Sequence, residues 1–335
     1  MAATLGSKAL TQIAVSAQTG FGTAKSIGVS TGQNLFQNAI GVLDMGVTVD
    51  MMDGITVGRR TAVQAGAVTV TGKNPVVSLA EAPISLRELP IILSSVGATT
   101  SSTASPYTWS WSPSQTDVDT AKYYSVLMSD GVQKYRAVDA VASEITISGD
   151  SSGVVQAGVT LVCSDVASSS LSFPTALVSA PMLAGRLLRL SVDTDFPDKT
   201  GTGATDYDHL LSFNCSITTG MAMVNAMDAA ITASTAGFVA PLDASLTITV
   251  ASNSAATTNF PVTAIGTQKF LRIYGTDSNS YGLWLNGSWV IENVTPISSE
   301  AEGVVVNEIS LKLAFDATSG KSLEIFCDSP LATAP

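Results

Sequence analysis

Charge is scarce in this chain: only 13% of its 335 residues are Asp, Glu, Lys or Arg, where an ordinary globular domain has about 25%. Histidine occurs once, at His209, between Asp206 and Asp208 on one side and Leu210 on the other. No G-x-S-x-G elbow accompanies it, so no nucleophile–base–acid set is recognisable, and it reads as an ordinary loop or strand-edge histidine. Cysteine occurs three times (Cys163, Cys215, Cys327), an odd number without C-x-x-C spacing. That excludes a disulfide framework; each thiol sits in a strand-like apolar context and reads as a small buried hydrophobe, made in a reducing compartment. No run approaches 18 uncharged apolar residues, which excludes a membrane-spanning helix. The first twenty residues lack the continuous apolar core of a secretory leader, so the sequons at Asn214, Asn286 and Asn293 read as chance.

Phosphate-cradling glycine loops, dinucleotide fingerprints and zinc spacings are also missing, so neither a cofactor, a metal nor a catalytic residue is expected. Asp193, Asp195, Asp198, Asp206 and Asp208 form an acidic group, but Pro197 interrupts the alternation a calcium loop needs and no closing Glu follows. A solvated loop between strands is the simpler reading, with a bound cation as the alternative. The net charge of −11, from 27 acidic and 16 basic side chains, argues against a basic face that grips nucleic acid. DNA meeting such a surface would slide past a like-charged wall.

What the chain has in quantity is small and β-branched. Hydrophobic residues make up 45%, chiefly Ala and Val, and Gly, Ser and Thr fill much of the rest. A neutral exterior of this kind suits a protein covered by copies of itself; the alternative is an extracellular or thermally robust β-protein. The most informative pattern occurs twice. Residues 147–161 read ISGDSSGVVQAGVTL and residues 297–311 read ISSEAEGVVVNEISL, aligned without a gap 150 positions apart. Gly153, Val154 and Val155 recur as Gly303, Val304 and Val305. A period far beyond the roughly 20–50 residues of solenoid repeats implies one β-unit built twice in tandem.

Strand signals alternate along both halves. GVLDMGVTVD (41–50) and AVQAGAVTVTG (62–72) are extended, and the stretch around 50–62 between them reads as a projecting hairpin with an Asp53-Gly54 turn. ISLRELPIILSSV (84–96) carries helical 3–4 spacing, with Pro90 expected to kink or restart the helix. YTWSW (107–111) places Tyr107, Trp109 and Trp111 on one face, a sandwich core in the first instance and a carbohydrate platform in the second. Asp130-Gly131 turns a hairpin over 123–138, and 270–294 forms another. SSSLSFPTALVSAPMLAG reads as an extended linker, and MAMVNAMDAAITAS (221–234) as the second half's helix. The division expected is an N-terminal arm (1–33), a first β-domain (34–166), a linker (167–184) and a second β-domain (185–330).

The hairpin followed by RAVDAVASEITISGDSSGVVQAGVTLVCSD resembles the closing half of a bacteriophage tail tube protein, the major tail protein of long-tailed phages. LLSFNCSITTGM (210–221) and WVIENVTPISSEAEGVVVNEISLKLAFD (289–316) resemble that family's strand order in the second half. The resemblance implies a mainly β fold of two tandem β-sandwich or barrel domains, each flanked by a short helix. It also implies a structural virion protein, not an enzyme, made in the bacterial cytoplasm and housed in the tail. Its partners would be itself, the tape-measure and tail-terminator proteins, and double-stranded DNA passing without specific binding; no membrane is involved. Two domains per chain imply trimeric, pseudo-hexameric rings stacked into a helical tube, with hexameric rings as the alternative. Met51, Met52, Asp53, Gly54, Arg59 and Arg60, together with the N-terminal arm, are the candidates for ring-to-ring contact. Three other readings stand beside this one. They are a tandem β-sandwich adhesin stacking glycans on Trp109, Trp111, Trp284 or Trp289, a capsid decoration protein, and, last, an enzyme using Asp208 and His209.

Overall fold

A computed structural model of the chain describes residues 12–24, 33–34, 41–51, 68–100, 104–114, 121–173, 181–199, 205–207, 209–225, 232–233, 235–301 and 303–333. The fold is mainly β, built of large antiparallel sheets. Eight strands make the principal sheet. In spatial order they are Gly41–Asp44, Val76–Pro83, Gln156–Val162, the later part of Lys134–Asp150, Leu210–Thr218, Asp243–Ala251, Val304–Leu313 and the later part of Gly282–Ala301. β-Branched and apolar residues at alternate positions explain why these segments pair: one face of each goes to the core and the other stays polar.

Two further layers cover the inner face. The first runs Gln33–Asn34, Gln12–Ala17, Tyr124–Ser129, the early part of Lys134–Asp150, and Asp165–Ser168. The second runs Thr205–Tyr207, Arg189–Asp193, Gln268–Thr276, the early part of Gly282–Ala301, Leu323–Ser329, Tyr107–Trp111 and Thr99–Thr100. Lys134–Asp150 and Gly282–Ala301 each bend from a covering layer into the principal sheet, so all these strands join one barrel-like network. Followed pair by pair, the principal sheet nonetheless stays open. Among the described residues Gly41–Asp44 has a strand on one side only, and so does the stretch 291–301.

The two halves follow one pairing order. Gln12–Ala17 lies on Tyr124–Ser129 as Arg189–Asp193 lies on Gln268–Thr276. Gly41–Asp44 lies on Val76–Pro83 as Leu210–Thr218 lies on Asp243–Ala251. The long strand of each half bulges at the same place, between Ala142 and Glu144 opposite Leu161, and between Ile291 and Asn293 opposite Leu311. One piece departs from the symmetry: Tyr107–Trp111, from the first half, pairs with Leu323–Ser329 in the second half's layer.

Several sequence expectations change. The helix of the first half is the single stretch Leu89–Ser94. Pro90 sits in its first turn, where its missing N–H is no loss, and does not kink it. Ser85 and Glu88 start the turn reciprocally: the Glu88 carboxylate accepts the Ser85 N–H at 2.9 Å, and the Ser85 hydroxyl accepts the Glu88 N–H at 3.2 Å. In the second half Met221–Val224 is a strand paired with Thr235–Phe238, not a helix, and 226–231 lie outside the described residues. The helix falls instead at Ser254–Asn259, where Asn253 accepts the Ala256 N–H at 2.8 Å. The expected N-terminal arm contains a core strand, Gln12–Ala17, because Ile13 and Val15 face the core despite Ala/Ser-rich surroundings. The expected linker is anchored as well: Leu171 and Phe173 pack on Ala14 and Leu127, and 181–187 run against the first repeat signature.

Candidate assembly site

The two halves meet where Glu144–Asp150 pairs with Ser212–Thr218 inside the principal sheet. Alternation puts Ile145 opposite Ile217, Ile147 opposite Cys215 and Gly149 opposite Phe213 on the core face. A Cβ on Gly149 would lie 2.8 Å from the Phe213 ring, so glycine there makes room for the aromatic. Burial pushes the Cys215 thiol up to about 12, which fits an inert, hydrocarbon-like role. On the outer face the strands exchange only polar contacts, such as Ser216 donating to Glu144 at 3.5 Å.

Among the described residues the same two kinds of strand recur, each paired on one side only, at the sheet's two ends. By register Gly41, Leu43 and Met45 correspond to Phe213, Cys215 and Ile217, and Asn293–Thr295 correspond to Glu144–Thr146, with Ile297 matched to Ile147 by the sequence repeat. At the edges Val294 is still buried and Leu43 half-buried, but Met45 and Ile297 are exposed where their counterparts at the seam are covered. Ile147 is 0% exposed and its repeat partner Ile297 is 74% exposed. Ile217 is 0% exposed and Met45 is 37%. Beside the first open edge lies a cavity of about 280 Å³, lined by Gly41, Leu43, Met45, Met128 and Tyr135 among others.

The signature residues behave in the same asymmetric way. Val155 donates to Leu183 O at 2.9 Å, Gly185 donates to Gly153 O at 2.9 Å, and Val154 bridges Ala184. The approach is close: a Cβ on Gly185 would fall 1.8 Å from the Asp150 carbonyl oxygen. Asp150 closes the turn by accepting the Ser152 hydroxyl at 2.7 Å and its N–H at 2.8 Å, which holds its carboxyl below the ordinary value. In the second copy Gly303 takes φ of 78°, as a left-handed turn requires, but Val304 and Val305 are exposed.

Of the remaining candidates, Met51 ends the strand Val47–Met51 opposite Val68. Met52, Asp53, Gly54, Arg59 and Arg60, and Asp208, lie outside the described residues. His209 is exposed and stands edge-on to Tyr207, with ring centroids 6.0 Å apart. Asp206 accepts from Tyr274 at 2.9 Å, while burial pushes the Asp193 carboxyl up against the opposing pull of Arg272. Among the described residues no three His, Cys, Asp or Glu side chains are grouped to hold an ion. All four tryptophans named for a glycan platform are buried, and Trp109 donates to Leu331 O at 2.7 Å.

One matched pair escaped the sequence reading. Gly46 (φ of 54°) abuts the Asn74 carbonyl just before Pro75, and Gly220 (φ of 78°) abuts the Ala240 carbonyl just before Pro241. A glycine followed by X-Pro, 28 residues later in the first half and 20 in the second, was the available signal. The chain matches no family model and no curated protein.

Proposed function

We propose that this chain is a structural protein that assembles with its own copies into stacked rings, the tube of a long-tailed phage, through which DNA passes. One observation carries the reading. The seam between the halves joins two kinds of strand, and among the described residues the sheet ends on one further strand of each kind, with Met45 exposed beside one and Ile297 exposed on the other. Such edges are unlike each other, so copies join head to tail and close only as a ring. An unpaired apolar edge on an isolated chain is otherwise an invitation to aggregate, and ring closure removes it. Three chains of two halves give six repeating units around the ring, the trimeric arrangement that the tail-tube resemblance implies. The net charge of −11 suits a lumen along which DNA moves without sticking. The chain in this reading performs no catalysis and takes no cofactor.

Negative-stain images and light scattering of the purified protein test this. Rings or tubes with three-fold or pseudo-six-fold end-on views are expected. A species that stays monomeric at every concentration would overturn the proposal.

A further inference from the structure

Resting on that reading, we infer the residue-level contact between copies: Ile297 of one chain seats in the cavity beside Gly41–Asp44 of the next, with the two edge strands paired antiparallel. The template lies within the chain. Across the seam Ile147 stands opposite Cys215, buried between the principal sheet and its covering layer. The sequence repeat aligns Ile297 with Ile147, and sheet register aligns Leu43 with Cys215. Repeating the seam between chains therefore brings Ile297 opposite Leu43.

The free edge also offers a receiving space, though it differs from the seam in how the core face is filled. Inside the chain Gly149 yields to the bulk of Phe213. At the free edge the position equivalent to Phe213 is Gly41, whose core-facing space is already taken by Met128, Ile13 and Leu79 of the same chain, and a cavity of about 280 Å³ stands beside the strand. Met128 and Tyr135, from the hairpin of the covering layer, close the cavity's far side. The incoming strand brings Ile297, the most exposed of the large hydrophobic side chains in the described residues. The short register irregularity between Thr295 and Ser299 leaves Ile297 standing out from the strand, with φ of 57°. Desolvating this side chain against Leu43, Met45 and Met128 supplies affinity, while Ser129, Asp130 and Gln133 line the polar part of the cavity; the backbone pairing supplies register and direction.

Within one chain Ile297 and Leu43 lie at opposite ends of an eight-stranded sheet, roughly 33 Å apart at about 4.8 Å per strand. A disulfide between them can form only between copies. The test is the double variant Leu43→Cys with Ile297→Cys, oxidised after assembly, beside a control pairing Ile297→Cys with Val239→Cys. A ladder of covalent dimers, trimers and closed rings from the first, and none from the control, is expected. Ile297→Asp is expected to raise the concentration needed for assembly at least tenfold while leaving the unfolding midpoint of the dispersed chain unchanged. Rings that form without the ladder, and form equally well from Ile297→Asp, would overturn this contact and leave ring assembly standing. A wild-type chain that never assembles would overturn both.

Discussion

Isoleucines 147 and 297 occupy matched places in the repeat yet meet opposite surroundings, and that difference is measurable. Ile147 is covered on the core face by the seam strand Leu210–Thr218, while Ile297 stands in solvent on an isolated chain. Truncating a buried isoleucine to alanine costs about 2–5 kcal/mol, from lost transfer energy plus the residual cavity. Truncating an exposed one changes stability by about 0.5 kcal/mol or less. The seam is closely packed, since Phe213 fills the space over Gly149, so little collapse around the lost methyl groups is available and Ile147→Ala should fall in the upper half of that range. Urea unfolding of the dispersed chain, followed by far-ultraviolet circular dichroism, reads the difference as a shift of midpoint at constant slope. Ile147→Ala lowers the midpoint strongly and Ile297→Ala leaves it in place. Equal losses from the two would refute the claim that a strand covers one copy and leaves the other bare.

Gly220→Ala and Gly46→Ala should each destabilise the chain by about 2–4 kcal/mol, combining the left-handed backbone penalty with overpacking against the carbonyl before each proline. Thermal melts that tolerate either variant would contradict the turn geometry. The three thiols are buried, so a thiol reagent should label none of them until denaturant is added; rapid labelling of the native chain would refute that placement. Iodide should quench the four buried tryptophans poorly for the same reason, and a strong native-state effect would revive a stacking surface. The depressed carboxyl of Asp150 contributes stability that is present above the ordinary carboxylate pKa of about 3.9 and is lost as pH falls through its lower folded value. Asp150→Asn should therefore flatten the acid limb of a melting-temperature profile, and a limb of unchanged steepness would count against the turn.

The repeat signature and the hairpin at Asp130-Gly131 were legible in the sequence because glycine and β-branched residues fix local backbone choices. The helices were not. Ile84–Val96 has helical spacing along its whole length, but its first residues serve a β-bridge and a capping turn, so only Leu89–Ser94 winds. Ser254–Asn259 carries no apolar stripe and is announced only by its Asn253 cap. Gln12–Ala17 escaped notice because alanine and serine, which carry little pattern, fill alternate strand positions where burial is decided by distant partners. The assembly edges were illegible for a related reason. Ile147 and Ile297 read alike, and only pairing with Leu210–Thr218, some seventy residues from Ile147, separates a covered position from a bare one.

Apart from the short strand Thr99–Thr100, Tyr107–Trp111 lies in a layer whose members come from the second half of the chain. Thr108 bonds Asp328, and Trp109 bonds the Leu331 carbonyl. On a ribosome working at about 5–20 residues per second, those partners emerge roughly 10–40 s after the aromatic strand does. The first half therefore leaves the exit tunnel with its aromatic strand still lacking the strand it pairs with, Leu323–Ser329. The order of translation makes Leu323–Ser329 a late clasp between the halves, and a chain that lacks this strand loses the partner of a segment made long before.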